Sequence, residues 1–387
     1  MNDLDRTRTV VAALLEVMQE SARHLATQVA ENGRVSVTRM DERQAVLYDF
    51  ASIASAVAAV EELVSYGERG EREGRLALAA AADVLADLLG RAAGRWSALV
   101  GDRVRDLPLW DAEVTSALAG GRDPELLEMI ATEVLRTGDA GPRHLSEEHE
   151  MVRETFRRFS DERVRPVAEE VHRHDRDIPD HIVRDLAGLG TFGLSIPSTY
   201  GGMSEGGEEE LLNMVLVTEE LSRGSLGVAG SLITRPEIIA TAILKGGTEE
   251  QKQRWLPAIA AGEKMCAVAV TEPDFGSDVA MLKTTATRRD DEWVMNGVKT
   301  WCTFAGKAEL LLVLARTDPD RSKAHRGLSL FVVEKPSFPG HAFRVQQDGP
   351  GIMDGRSIPT IGYRGMHSFE VSFESWSVPH DNLIGLE

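Results

Sequence analysis

The 387-residue chain is poor in cysteine, aromatic residues, positive charge and long apolar runs. Only Cys266 and Cys302 occur, so no disulfide framework is available and a reducing, cytoplasmic setting is expected. Lys and Arg total 43 against 62 Asp and Glu, a formal net charge of -19. That balance argues against general attraction to nucleic acid or to an anionic membrane surface, so any anionic ligand needs a local site. No uninterrupted apolar run approaches the roughly 18 residues of a membrane span. The opening MNDLDRTRTVV also lacks a basic segment followed by an apolar core. The chain is 42% hydrophobic, and at this length it can bury two or three domain cores.

The first 137 or so residues read as amphipathic helices. Val10, Leu14, Val17, Ser21 and Leu25 recur at helical spacing, as do Phe50, Ile53, Val57, Val60 and Val64, and Leu76 to Leu89 forms a third run. GERGEREG, Gly67 to Gly74, reads as a solvated loop, since no strand precedes its glycines. TGDAGPRH, Thr137 to His144, reads as a domain boundary. A second helical region follows to about Gly262, in which Thr248 and Gln251 have the spacing of a capping box. From Met265 the pattern changes to short apolar or alternating runs, at Val268–Thr271, Trp293–Met295, Leu310–Ala315, Leu328–Val333 and Glu370–Phe373, with a tight hairpin expected at Asn296-Gly297. The fold class is α+β: residues 1–143 as a helical extension, 144–263 as a helical domain and 264–387 as an antiparallel β-domain.

Two motifs carry the chemistry. TEPDFGSD, from Thr271, places Gly276 and Ser277 in a turn whose amides can receive phosphate or flavin oxygens. KTWCTFAGKA, from Lys299, places Trp301 and Thr303 two positions apart on a strand. Together they resemble the TEPxxGSD and KxWITNxxxA motifs of the acyl-CoA dehydrogenases, with Cys302 and Phe304 standing where the family has an apolar residue and Asn. The resemblance covers about residues 145 to 387. It implies an FAD site lined by Val268, Val270, Thr271, Gly276, Ser277, Trp301, Cys302 and Thr303, with Ser277 also meeting the CoA end of the substrate. It further implies α,β-dehydrogenation of an acyl-CoA, with electrons passed to an electron-transferring flavoprotein and assembly as a homodimer or tetramer. The family's glutamate base belongs to a C-terminal helical bundle, so it is expected beyond Glu387, and no catalytic residue is assigned within this chain.

Three stretches, GSLITRPEIIATAILKGGTEEQKQRWLP, KTWCTFAGKAELLLVLARTDP with the following GLSLFVVEKP, and IGYRGMHSFEVSFE, resemble the methylsuccinyl-CoA dehydrogenases of the ethylmalonyl-CoA pathway, which form mesaconyl-CoA and also carry an extra helical amino-terminal region. Thr234 and Arg235 fall in the segment that lines the family's acyl pocket. Arg235 is either the partner of a second substrate carboxylate or a surface ion pair with Glu237. Arg288, Arg289 and Lys299 are either CoA phosphate contacts or exposed hairpin charges. His172 and His174 lie two apart, which does not suit two ligands on one helical face, so no metal is expected. A flavin oxidase or monooxygenase of the same fold, and a non-catalytic acyl-CoA or flavin-binding subunit, remain as alternatives.

Overall fold

The computed structural model describes residues 2–385, in two compact units that divide between His144 and Leu145. In the first, α1 (Asp3–Val29), α2 (Gln44–Gly67), α3 (Glu71–Ala92), α4 (Ala112–Gly121) and α5 (Pro124–Thr137) account for most of the chain. The periodic residues do turn inward: Val10, Leu14, Val17, Val57, Val60 and Leu85 are buried together in one core with Leu99 and Val114. Local signals set the ends. Asn2 caps α1 by accepting from the Asp5 amide, while Asp123 caps α5 ahead of Pro124 and Gly138 closes it in the left-handed region.

The expected loop Gly67 to Gly74 is mostly helix. Only residues 68–70 separate α2 from α3, and Glu71 to Gly74 form the first turn of α3. The sequence misleads here because its glycines serve close packing: a Cβ on Gly67 would lie 3.2 Å from the Ala77 Cβ and 3.5 Å from the Gly74 Cα.

The second unit begins with α6 (Glu147–Phe159), α7 (Arg165–His174), α8 (Asp180–Gly188), α9 (Glu208–Ser225), α10 (Thr234–Gly246) and α11 (Glu249–Ala260). The capping box of α11 forms as read from the sequence, with Thr248 and Gln251 each satisfying the other's backbone amide. His172 and His174 are exposed on α7.

Nine strands follow among the described residues: β1 (Cys266–Ala269), β2 (Thr285–Arg289), β3 (Glu292–Thr303), β4 (Leu310–Arg316), β5 (Leu328–Glu334), β6 (Ala342–Gln346), β7 (Ile352–Ser357), β8 (Ser368–Pro379) and β9 (Leu383–Ile384). They form one sheet in the order β9-β5-β4-β2-β3-β8-β7-β6, with β1 added beside β4. Most pairs are antiparallel, as expected; β1 runs parallel to β4, with Cys266 opposite Leu310, and β2 meets β4 in parallel at Thr285 and Arg316. The core is built from the inward residues of these strands, among them Trp293, Met295, Phe331, Phe369 and Trp376.

The hairpin expected at Asn296-Gly297 does not form there. Both residues lie inside β3, whose turn from β2 falls at Asp290 and Asp291, with Asp290 at φ 48°. Asn296 instead faces a bulge in β8, where its Oδ1 accepts from the Ser375 amide at 2.8 Å. Gly297, at φ 149°, lets β3 pass the Thr284 backbone, whose Cα would be 2.7 Å from an added Cβ.

Candidate functional site

The two sequence motifs meet directly. The Thr300 amide donates to the Thr271 carbonyl at 2.8 Å, and Lys299 Nζ donates to the Val270 carbonyl at 3.0 Å. The end of β1 is thus stitched to the end of β3. Beneath the junction, Lys299 Nζ also bonds Glu272 Oε1 at 2.9 Å, and Glu272 accepts the Lys283 and Thr284 amides at 2.6 and 2.8 Å. Lys299 is 0% exposed, so it is neither an exposed hairpin charge nor a free phosphate contact, as the sequence had allowed. The reason is alternation: Val298 is exposed and Lys299 buried, where Glu272 Oε1 meets it at 2.9 Å.

Burial alone would raise the Glu272 carboxyl, but the two amides and the Lys299 ammonium outweigh it and hold the group below the ordinary carboxylate range. Burial lowers the Lys299 ammonium, and Glu272 opposes that shift. The pair fixes the TEPDFGSD turn from below, a role the sequence reading missed. Glu272 and Lys299 lie 27 positions apart, and no spacing rule joins a turn to a strand across that distance.

Above this anchor lies an open face. Two residues of β3, Thr300 and Trp301, stand opposite one residue of β8, and Trp301 takes φ 57° at this bulge. The bulge turns the indole outward, where it is 56% exposed. Gly276 and Ser277 are exposed beside Thr271, and their amides have no partner among the described residues. A Cβ on Gly276 would meet only the Thr271 methyl, at 3.9 Å. Val268 and Val270 are half-buried, whereas Cys302 and Thr303 are buried. The Thr303 hydroxyl is shared with Ser368 Oγ at 2.9 Å, and a hydroxyl in such a pair retains capacity for one more bond.

Ser368 closes the loop that carries Tyr363 and Arg364. The Tyr363 hydroxyl bonds Ser231, and Ser231 in turn accepts from Arg235 Nη1. Arg235 Nη1 also reaches Thr234 Oγ1 at 2.6 Å. Among the described residues Arg235 has no carboxylate partner, its Nη1 donating to Ser231 and Thr234, and Glu237 accepts from Thr241, so the ion pair between Arg235 and Glu237 does not form. Gly227 lets this helical segment approach the loop, since a Cβ there would lie 2.4 Å from the Arg364 carbonyl.

A flat exposed indole, two unpartnered amides and a side-chain-free glycine beside them suit a planar ring bearing acceptor oxygens and a phosphate chain, which is the chemistry of FAD. The chain belongs to the acyl-CoA dehydrogenase family, a family of FAD-dependent oxidoreductases: residues 146–263 match the acyl-CoA dehydrogenase N-terminal domain and residues 267–376 its middle domain. It is 38% identical over 390 residues to the (2S)-methylsuccinyl-CoA dehydrogenase of Cereibacter sphaeroides, covering 96% of this chain and 68% of that protein. It is 33% identical to the mitochondrial isovaleryl-CoA dehydrogenase of Pongo abelii, over 63% of this chain and 54% of that one. A solved glutaryl-CoA dehydrogenase from Mycobacterium smegmatis in complex with FADH2 superposes with a TM-score of 0.54 at 26% identity, covering 67% of this chain and 59% of that structure. The chain therefore spans between about half and two thirds of the length of these relatives. Among the described residues no single helix is long and apolar enough to cross a membrane.

Proposed function

We propose that the chain contributes the flavin and acyl-CoA face of an FAD-dependent dehydrogenase that oxidises the Cα–Cβ bond of a CoA thioester bearing a second carboxylate, methylsuccinyl-CoA to mesaconyl-CoA in the first instance. The observation that supports the reading is the junction of the two motifs, where the Thr300 amide donates to the Thr271 carbonyl, together with the exposure of Trp301 and the Gly276 and Ser277 amides left without a partner among the described residues. FAD, when bound, supplies the acceptor for the two-electron oxidation. The residues of this chain hold and orient it: Trp301 as a shelf for the ring, Thr271 and the Gly276 and Ser277 amides as donors to its oxygens, and Val268, Val270, Cys302 and Thr303 as the strand ends beneath. Ser277 also lies within reach of the CoA end of the substrate.

Glu272 cannot serve as the proton acceptor, because its oxygens are engaged by Lys299 and by the Lys283 and Thr284 amides. The base is a glutamate outside the described residues, and electrons leave to an electron-transferring flavoprotein from a homodimer or tetramer. Substrate choice rests on Arg235 with Thr234. A half-buried guanidinium with no carboxylate partner among the described residues is suited to a substrate carboxylate. The test is kcat/KM of Arg235→Ala on methylsuccinyl-CoA and on butyryl-CoA, in the full protein. A loss of roughly a hundredfold confined to methylsuccinyl-CoA is expected, equivalent to a charge-assisted hydrogen bond of about 3 kcal/mol. Equal losses on both substrates would remove Arg235 from the reading.

A further inference from the structure

In the second unit, the turn after α7 meets the start of β6 and the loop before β8. Asp175, His341 and His367 come together there, each offering one ligand atom, with the three atoms within 4.8 Å of one another. Nδ1 of His367 lies 3.7 Å and Nδ1 of His341 3.9 Å from the Asp175 carboxylate, and His341 Nδ1 is also 3.0 Å from Ser357 Oγ, a hydroxyl that a metal would displace. Each imidazole has an acceptor behind its other nitrogen. His341 Nε2 is 2.9 Å from the Asp175 carbonyl, and His367 Nε2 is 3.2 Å from Asp177 Oδ1. The two rings are tilted against each other with centroids 4.3 Å apart.

His367 is the informative member. It is only 7% exposed, and its Nε2 is held 3.2 Å from the Asp177 carboxylate, which leaves Nδ1 facing Asp175. Metal-bound histidines characteristically pass their second N–H to a carboxylate or a backbone carbonyl, the two groups found behind these rings.

We propose that Asp175, His341 and His367 form a divalent transition-metal site, with zinc the cation that two imidazoles and one carboxylate fit best and water completing the tetrahedron. Asp177 orients His367, and the Asp175 carbonyl orients His341. Zinc bonds of about 2.0–2.2 Å require the donors to draw in by about half an ångström or more, which the exposed His341 ring and the half-buried Asp175 permit. The facing charges are the carboxylates of Asp175 and Asp177, the Arg364 guanidinium, whose Nε is 3.6 Å from Asp175, and the Lys307 ammonium, which acts on Asp177 but is itself bonded to Asp180. The ion would staple the turn after α7 to the edge of the sheet, inside the second unit. The site is independent of the flavin reading.

The experiment is calorimetric titration of ZnCl2 into the EDTA-stripped full chain, with the metal content of the desalted product measured by mass spectrometry. One zinc per chain is expected, with a rise in melting temperature. His341→Ala, which removes an exposed ring, should keep the far-ultraviolet dichroism and weaken zinc by roughly tenfold or more. His367→Gln should do the same if it folds, and His341→Ala decides the matter if it does not. No zinc uptake by the parent chain, uptake unchanged in His341→Ala, or equal affinity for Mg2+ would each overturn the proposal.

Discussion

Replacing Lys299 by Met keeps the length of the stem and removes the ammonium that joins Val270 to Glu272. Lys299 is 0% exposed and the Glu272 side chain 4%, so the carboxylate left behind would be buried without its cation. Breaking such a pair by removing one partner costs about 3–5 kcal/mol. Glu272 would keep two amide donors, from Lys283 and Thr284, which places this case near the lower end, at about 3 kcal/mol. The assay is urea unfolding at neutral pH, following the transition of residues 145–387 through the fluorescence of Trp255, Trp293, Trp301 and Trp376. A companion variant, Glu272→Gln with Lys299→Met, should lose less than the sum of the two single changes, with a coupling of about 1–3 kcal/mol. A Lys299→Met variant within about 0.5 kcal/mol of the parent, or strictly additive single losses, would refute the claim that this pair anchors the TEPDFGSD turn.

Acid should act through the same carboxylate. Because its folded pKa lies below its ordinary 4.5, Glu272 contributes stability that is present above pH 4.5 and is lost as pH falls through the folded value, so urea midpoints should drop more steeply below about pH 4 in the parent than in Glu272→Gln. Gly297→Ala, which forces a Cβ to 2.7 Å from the Thr284 Cα at φ 149°, should destabilise by about 1–3 kcal/mol, seen as a lower urea midpoint. Both thiols should resist a disulfide reagent in the native chain: burial pushes Cys302 up to about 12 and raises Cys266 as well, and both side chains are buried. Two thiols per chain should titrate after unfolding in urea.

What the sequence made legible was local. The helical runs of the first unit, the Thr248 and Gln251 capping box and the strand at Leu310–Arg316 depend on neighbours within a few residues, and periodicity reports those well. Asn296-Gly297 looked like a turn because its backbone preference suits one, but its conformation answers to a bulge in β8 and to the Thr284 backbone, both distant in sequence. Lys299 looked solvated because lysine usually is; only the pairing with Glu272 allows its burial. The two site motifs could be read individually, and the hydrogen bond that joins them at Thr271 and Thr300 could not. The cluster of Asp175, His341 and His367 had no readable spacing, since it is assembled from residues up to 192 positions apart, counting from 175 to 367.

The central claim is that the TEPDFGSD turn and the Trp301 strand end form one flavin-holding face. Hydrogen exchange of the full chain, with and without saturating FAD, addresses it most directly. The account predicts that FAD slows exchange at the Gly276 and Ser277 amides and quenches the Trp301 indole, an effect absent in Trp301→Phe. FAD binding that leaves those amides and that indole unchanged, or no binding at all, would contradict it.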